Sequence, residues 1–216
     1  MNLIKLCNIS KAYRYHKQNI IALKEINVEI EKGDFIILSG SSGAGKSTLL
    51  NIISGLITPT TGEYYFDSQR VDMSERGLAD LRNKHMGIIL QDFALINDRN
   101  VYYNIALPLL YKKIDKKKIE DQVANITQIM GIYDLIKKKP YTLSRGERQR
   151  VAFARAMVTK PDIIIADEPT SSLDKDNSVM VMNMLRDYNN NGNTIIMSTH
   201  NESQMNDNDK VIALHN

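Results

Sequence analysis

The 216-residue chain has little of several features that mark particular classes of protein. Its single cysteine, Cys7, cannot form a disulfide within the chain and is compatible with a reducing compartment. The longest apolar runs are strand-sized, too short to span a membrane, and the N-terminus has no signal-peptide pattern. The formal net charge of +3 is too small to indicate nucleic acid, and no nucleic-acid partner is expected. We therefore expect a soluble cytoplasmic protein.

Apolar periodicity in the chain predicts alternating strands and helices. Strands are predicted over residues 34–38 and 163–167, in which residues 35–38 and 163–166 are continuously apolar, as expected of strands buried on both faces of a sheet. Residues 60–75 have the pattern of a hairpin, with Gly62 as its turn. Such alternation indicates an α/β fold with a mostly parallel sheet. Further strands are predicted over residues 3–9, 22–30, 194–199 and 210–214, and helices over residues 47–56, 78–84 and 177–189.

The helix-rich middle of the chain, residues 92–158, lies between two parts of the predicted sheet. We interpret it as an inserted α-helical subdomain, with Pro108 and Pro140 as interruptions of its helices. Residues 1–91 and 159–216 then form the core, with an antiparallel β subdomain at the N-terminus. The whole chain is predicted to be a single domain.

A glycine-rich turn follows the strand over residues 34–38 and fits the pattern G-x-x-x-x-G-K-[ST]. Glycines let backbone N–H groups approach phosphate oxygens, and the following helix points its unpaired N–H groups at the same phosphates. The lysine reaches the β- and γ-phosphates, and the serine hydroxyl ligates Mg²⁺. The pattern predicts a P-loop for ATP and Mg²⁺, formed by Gly40, Ser41, Ser42, Gly43, Ala44, Gly45, Lys46, Ser47 and Thr48.

Two acidic residues, Asp167 and Glu168, end the apolar strand over residues 163–167. The carboxyl edge of a parallel sheet is where ligands bind, so Asp167 is predicted to lie beside the P-loop and to hold Mg²⁺ directly or through water. The side chain of Glu168 points the other way along the strand, where it can polarise an attacking water.

Several motifs in chain order resemble those of the ABC ATPase family, and the resemblance runs through the whole chain. The most diagnostic is residues 143–150, Leu-Ser-Arg-Gly-Glu-Arg-Gln-Arg, which is similar to the family's signature motif. Gln91 matches the Q-loop, residues 171–174 the D-loop with Ser172 and Asp174, and His200 the switch histidine. Tyr13 stands where the family places an aromatic residue that stacks on adenine.

The resemblance implies a homodimer that sandwiches two ATP molecules. Ser144 and Gly146 precede a helix and form a second anion site, which in the family meets the γ-phosphate bound by the other protomer. Gln91 and His200 would sense the γ-phosphate, with Gln91 also near the metal, while Glu168 would act as the base and Lys46 would stabilise charge. Tyr13 remains open to a second interpretation, as a half-buried strand residue, with Tyr15 as the nearest alternative.

One position departs from the family pattern. The signature motif usually has glycine where this chain has Arg145. A side chain there would hinder a close approach of the backbone to phosphate, or its guanidinium would add a contact to phosphate. We favour the hypothesis that Arg145 is tolerated and that the site still hydrolyses ATP.

Three segments resemble the corresponding segments of the ATPases in macrolide-efflux, lipoprotein-release and cell-division systems and related antimicrobial-peptide transporters. They are residues 82–93, 104–110 and 143–150. In those relatives a pair of ATPase subunits grips a separate membrane protein through a groove at the Q-loop, here residues 91–107. The resemblance therefore implies an ATPase peripheral on the inner face of the cell membrane, driving efflux or mechanical work on peptides, lipids or antibiotics. A soluble ATP-dependent switch that controls a membrane or cell-wall partner without transport stays as the alternative.

Overall fold

The computed structural model describes residues 2–16, 18–112, 114–171, 173–201 and 204–214. Its elements alternate between strands and helices over most of the chain. In chain order they are β1 (Asn2–Tyr15), β2 (Gln18–Glu31), β3 (Phe35–Ser39), α1 (Lys46–Ile53), β4 (Thr61–Phe66), β5 (Gln69–Arg70), α2 (Glu75–His85), β6 (Met86–Ile89), α3 (Val101–Tyr111), α4 (Lys116–Ile129), the short 3₁₀ helices Tyr133–Leu135 and Pro140–Thr142, α5 (Arg145–Met157), β7 (Ile163–Asp167), α6 (Lys175–Asn190), β8 (Thr194–Ser198) and β9 (Lys210–Ala213).

A five-stranded parallel sheet in the order β6-β7-β8-β3-β9 forms the centre of the fold. Successive residues of β3 point to opposite faces, because side chains alternate along a strand. Phe35 and Ile37 belong to one hydrophobic core, and Ile36 and Leu38 to the other. Both faces are therefore covered, which explains why this strand is continuously apolar.

An antiparallel sheet in the order β2-β1-β4-β5 packs with α1 on one face of the central sheet. The predicted N-terminal β subdomain is thereby confirmed, although β1 and β2 are longer than expected. The predicted hairpin turn at Gly62 is wrong, since Gly62 lies within β4 and the turn is formed by Asp67 and Ser68, both with positive φ. Gly62 serves a close approach instead, because a Cβ there would lie 2.6 Å from the carbonyl oxygen of Asn8 on β1.

Helices α3, α4 and α5 lie between β6 and β7 in sequence and share a core on the opposite face of the central sheet. Pro108 was expected to interrupt a helix, but it lies inside α3. Proline removes only one backbone donor, and α3 remains anchored in the core through Val101, Ile105 and Leu109, all 0% exposed. Pro140 does stand at a boundary, at the start of a 3₁₀ turn that precedes α5.

Candidate functional site

The P-loop between β3 and α1 is wedged between two strands. Gly40 and Gly45 have φ angles of 143° and 92°, which side-chain-bearing residues rarely adopt. A Cβ at either position would lie 2.5 Å from a backbone oxygen, that of Leu214 at Gly40 and that of Ala22 at Gly45. Gly43, with φ of 84°, faces open space instead. The two outer glycines are thus required by packing and the middle one by its backbone conformation.

Lys46 begins α1 and is only 6% exposed. Its ammonium donates hydrogen bonds to the carbonyl oxygens of Gly40 and Ser41, at 2.8 and 2.9 Å, so the lysine holds the loop closed around itself. An ammonium has three donors, so one remains for a phosphate oxygen. No side chain caps α1, in contrast to α2–α6, so its first N–H groups also remain available to an anion.

The other P-loop residues differ in exposure. Ala44 is buried, 4% exposed, and packs in the core beneath the loop. The remaining side chains face solvent on the same loop: Ser41, Ser42 and Ser47 are exposed and Thr48 is half-buried. The hydroxyl of Ser47 is therefore accessible to a ligand.

Asp167 and Glu168 stand at the carboxyl end of β7 and share one partner. The hydroxyl of Ser198, at the end of the neighbouring strand β8, donates to Oδ1 of Asp167 at 2.6 Å and accepts from the backbone N–H of Glu168 at 2.9 Å. Glu168 has φ of 46°, so the chain turns sharply directly after the strand. Ser198 thus joins the carboxylate of Asp167 to the backbone of Glu168, a contact that was not predicted from the sequence.

Glu168 brings together three of the predicted site residues. Its Oε1 lies 2.7 Å from Nε2 of His200, and its Oε2 accepts a hydrogen bond of 3.4 Å from Nε2 of Gln91. The Glu168 side chain is 20% exposed and that of His200 is 49% exposed. A carboxylate held at both oxygens, with one side open to solvent, is placed to orient a water molecule.

The segments around Glu168 and His200 are tied to each other and to α5 by glutamines that the sequence analysis missed. Oε1 of Gln204 accepts hydrogen bonds from the hydroxyls of Thr199 and Thr170, at 2.9 and 3.1 Å. Gln149 on α5 is 1% exposed and donates to the carbonyl oxygen of Pro169. These amides fix the backbone on both sides of the carboxylate.

The signature motif forms the start of α5. Ser144 and Glu147 make a reciprocal capping box, in which Oγ of Ser144 accepts from the Glu147 N–H at 3.3 Å and the carboxylate of Glu147 accepts from the Ser144 N–H at 2.7 Å. This backbone hydrogen bond lowers the pKa of Glu147. Gly146 faces Asn177 of α6, 3.4 Å from the position of a Cβ. Within the described residues, no hydrogen bond or ion pair joins this helix start to the P-loop.

Arg145 is the first residue of α5 and its φ is not positive. The backbone therefore accepts any L-residue at the position where the family usually has glycine.

Two further predicted residues lie at the edges of this arrangement. Asp174 is the N-cap of α6, and its carboxylate accepts hydrogen bonds from the N–H and side-chain amide of Asn177, which lower its pKa.

Tyr13 on β1 is 42% exposed and lies opposite Ile20 of β2, with the ammonium of Lys11 5.3 Å from its ring centroid. Ile20 lies two residues before Ala22 on β2, and the carbonyl oxygen of Ala22 is the one that approaches Gly45 of the P-loop. Ser172 and the side chain of Tyr15 lie outside the described part of the chain.

A groove of about 600 Å³ opens beside the Q-loop. Its walls come from the segment after α1 and from α2, β6, α3 and α5, and it is mostly apolar. The lining residues include Leu56, Ala79, Ile88, Leu107, Pro108 and Tyr111. Leu56 and Tyr111 are 43% and 72% exposed, so the groove is open to a partner.

Comparison with known proteins shows that these motifs belong to one protein family. The family model described as "ABC transporter" matches residues 23–171 of the chain. The chain belongs to the ABC transporter family. It is similar to the uncharacterized ABC transporter ATP-binding protein MJ1508 of Methanocaldococcus jannaschii, at 41% identity over 98% of this chain and 95% of that protein. It is also similar to the lipoprotein-releasing system ATP-binding protein LolD of Buchnera aphidicola (subspecies Acyrthosiphon pisum), at 40% identity over 92% of this chain and 88% of LolD.

The fold of this ABC transporter subunit is that of a solved cassette. The dimeric structure of the ATP-binding cassette MJ0796 in a post-hydrolysis state, bound to ADP and phosphate, superposes with a TM-score of 0.91 at 34% identity. The alignment covers 98% of this chain and 94% of that cassette. The expected ABC fold is therefore confirmed, and the chain is an ATP-binding and ATP-hydrolysing subunit of an ABC transporter.

The oxygen atoms of the predicted metal ligands suit Mg²⁺. The described residues contain no cluster of three or more histidines, cysteines and acidic residues that would hold a metal by themselves. Mg²⁺ typically uses one or two protein oxygens together with substrate phosphates and water. Asp167, Ser47 and Gln91 offer a carboxylate, a hydroxyl and an amide oxygen, which fit that preference. As for the membrane, no helix among the residues described has the length and apolar character to cross it.

Proposed function

We propose that two copies of this ATPase subunit bind two ATP molecules between them, each held by the P-loop of one copy and the signature motif of the other. The observation that carries the proposal is the separation of two anion-binding sites within one chain. The uncapped start of α1 and the start of α5 both present N–H groups, yet no described hydrogen bond links them. A second copy supplies the missing half of each site. The dimeric form of the similar cassette MJ0796 supports this arrangement.

Hydrolysis in this arrangement is an in-line attack of water on the γ-phosphate, in which the new P–O bond forms as the bond to the bridging oxygen breaks and ADP leaves. Glu168 orients the water and takes up its proton at a carboxylate oxygen, while His200 and Gln91 hold that carboxylate in place. Lys46 and the N–H groups of the P-loop stabilise the developing charge from one side. Ser144 and Gly146 of the second copy do so from the other, and the ring of Tyr13 stacks on adenine.

Asp167, Ser47 and Gln91 would hold Mg²⁺, which neutralises phosphate charge when bound. Ser198 would keep Asp167 turned toward the metal through its hydrogen bond of 2.6 Å.

We further propose that the Q-loop groove receives a cytoplasmic helix of a separately encoded membrane subunit, which places this chain on the inner face of the cell membrane. The groove is apolar, open and directly adjacent to the segment that follows Gln91. Residues 92–158 would move with the signature motif as a helical subdomain when the dimer closes. The similarity to LolD and the motif resemblance favour efflux or mechanical work on peptides, lipids or antibiotics.

The test is a capture experiment with a tagged Glu168→Gln variant, which should bind ATP and remain in the closed dimer. Host membranes are solubilised in mild detergent with Mg-ATP, and proteins that co-purify in stoichiometric amount are identified. The proposal predicts an integral membrane protein. Leu56→Glu or Tyr111→Glu in the same background should prevent its capture, because each places a charge in the apolar groove.

The matched control is Tyr141→Glu, which changes a tyrosine of similar exposure, 63%, outside the groove and should leave capture intact. Recovery of only a homodimer or a soluble partner would contradict the proposed binding to a membrane subunit. The proposed mechanism of ATP hydrolysis would be unaffected, and the function would be that of a soluble regulatory switch.

A further inference from the structure

The segment directly after Gln91 has an unusual backbone. Phe93 and Ala94 have φ angles of 65° and 42°, in the left-handed region that residues with side chains rarely adopt. Phe93 is nevertheless buried, 7% exposed, and its N–H closes a turn onto the carbonyl oxygen of Leu90 at 2.9 Å. Such a conformation persists only where the surroundings fix it.

Two arginines of α5 provide those surroundings. The guanidinium of Arg155 donates to the carbonyl oxygens of Phe93 and Ala94, at 2.6 and 2.7 Å, and its burial lowers its pKa. The guanidinium of Arg145 lies over the ring of Phe93, 5.9 Å from the ring centroid. The Q-loop segment is thus held at its backbone by one arginine and at its side chain by the other.

Arg145 is also the first residue of the signature helix, at the position where glycine is usual in the family. Its side chain contacts an aromatic ring of the same chain, and its helical backbone requires no glycine. A guanidinium over an aromatic face is an attractive pair. This contact connects the signature motif to the turn that carries Gln91.

We propose that Arg145 is a positioning residue, which acts through the ring of Phe93 to fix the Q-loop turn and thereby the approach of Gln91 to Glu168 and to the metal. Gln91 lies two residues before Phe93 and donates to Glu168 at 3.4 Å, so a shift of the ring is passed directly to that amide. The effect on metal binding rests on the proposed role of Gln91. The contact between Arg145 and Phe93 is independent of it.

The first experiment is a Mg²⁺ titration of the steady-state ATPase at saturating ATP, for Arg145→Ala, Phe93→Leu and the double variant. Each single change should raise the half-saturating Mg²⁺ concentration about two- to fivefold, with kcat at saturating Mg²⁺ changed less than about twofold. The double variant should show no further increase, because both changes break one contact. Arg145→Lys should restore part of the difference, since an ammonium also pairs with a ring.

The proposal would be overturned by Phe93→Leu leaving the Mg²⁺ dependence unchanged, or by the two effects multiplying in the double variant. Either result would mean that Arg145 acts elsewhere, as a direct contact to phosphate would do.

The second experiment needs no ATP. The chain has no tryptophan, so Phe93→Trp introduces a single tryptophan, whose fluorescence can be excited apart from that of the ten tyrosines, and it also strengthens the pairing with arginine. Adding Arg145→Ala should increase the acrylamide quenching constant of that fluorophore about twofold or more, because the guanidinium no longer covers the ring. The matched control is Arg99→Ala, which removes another arginine–aromatic contact, 4.9 Å from the ring of Tyr103, and should leave quenching unchanged.

Unchanged quenching in the Arg145→Ala background would refute the contact. Failure of the proposed function would be seen in a separate measurement, as undiminished ATP affinity of the Lys46→Ala variant. The quenching measurement uses no nucleotide, so its result does not depend on that outcome.

Discussion

The two regions of the chain that are proposed to bind phosphate are built in different ways. The region at the carboxyl edge of the sheet depends on contacts between distant residues: Ser198 binds Asp167 across 31 positions and Gln91 binds Glu168 across 77. The signature region is local, since its capping box joins Ser144 and Glu147 three positions apart. The contacts within the first region need the whole fold, whereas the capping box of the second needs only a helix start. The start of α5 in one copy can therefore complete the site at the carboxyl edge of the sheet in a second copy.

The largest expected effect lies in the first region. Glu168→Gln keeps the shape of the side chain but removes the carboxylate that takes up the proton, so kcat should fall about 10³-fold while ATP affinity stays the same. Single-turnover hydrolysis and equilibrium ATP binding measure the two parts. Near-native turnover would remove Glu168 from the catalytic role. Glu63→Gln, on the antiparallel sheet, is the matched control.

Lys46→Ala should weaken ATP binding itself by about 10²-fold, because it removes the buried ammonium that closes the loop and meets the phosphates. Equilibrium binding of labelled ATP measures this effect. Lys116→Ala removes an exposed lysine from α4 and should leave the affinity unchanged. Undiminished affinity in Lys46→Ala would contradict the assignment of the phosphate cradle.

Ser198→Ala should have a smaller effect, a loss of about tenfold in kcat/KM, because both carboxylates remain, but Asp167 loses the donor to its Oδ1 and the backbone N–H of Glu168 loses its acceptor. Steady-state kinetics over a range of Mg²⁺ concentrations measures it. Ser54→Ala removes a serine of similar burial, 1% exposed against 0% for Ser198, that donates to the carbonyl of Asn51 at the C-terminal end of α1. Equal kinetics in the two variants would show that Ser198 does not position Asp167 and Glu168.

The smallest expected effect belongs to the signature region. The Glu147 carboxylate has a pKa below its ordinary value of 4.5, so it stabilises the folded state above that pH and loses this contribution as the pH falls through its lowered pKa. Glu147→Gln keeps the capping geometry and should cost about 0.5 kcal/mol at neutral pH. Urea unfolding measured along a pH series should show the gap to the native chain closing in acid. A gap that stays constant would assign the effect to something other than the charge.

The difference between the two regions also explains what the sequence could predict. The P-loop, the strand ending at Asp167 and the start of α5 follow from local patterns, because glycine spacing, apolar runs and cap residues act over a few positions. Local patterns could not identify Ser198, Gln204 and Arg155, since each has a partner far away in sequence: Asp167, Thr170 and Phe93. The sequence pattern gave no sign of these partners.

Two misreadings in the fold have the same cause. The four-residue strand β6 was not predicted, because its apolar run is short and it is defined by its pairing with β7. Pro108 was expected to break a helix, but tertiary packing of α3 outweighs its local effect. In both places, contacts with the rest of the fold decide the local structure.

The central claim is that each catalytic site combines the sheet edge of one copy with the signature helix of another, and mixing two inactive variants tests it most directly. Lys46→Ala disables the first region. Gly146→Asp disables the second, because a carboxylate at the second position of α5 suits the helix dipole but repels phosphate. Each variant alone should be inactive.

A mixture in equal amounts should recover about a quarter of native ATPase activity, because half of the dimers are mixed and each of these holds one intact site of two. No recovery in a mixture that demonstrably forms mixed dimers would contradict the shared site. Full activity of either variant alone would contradict it as well.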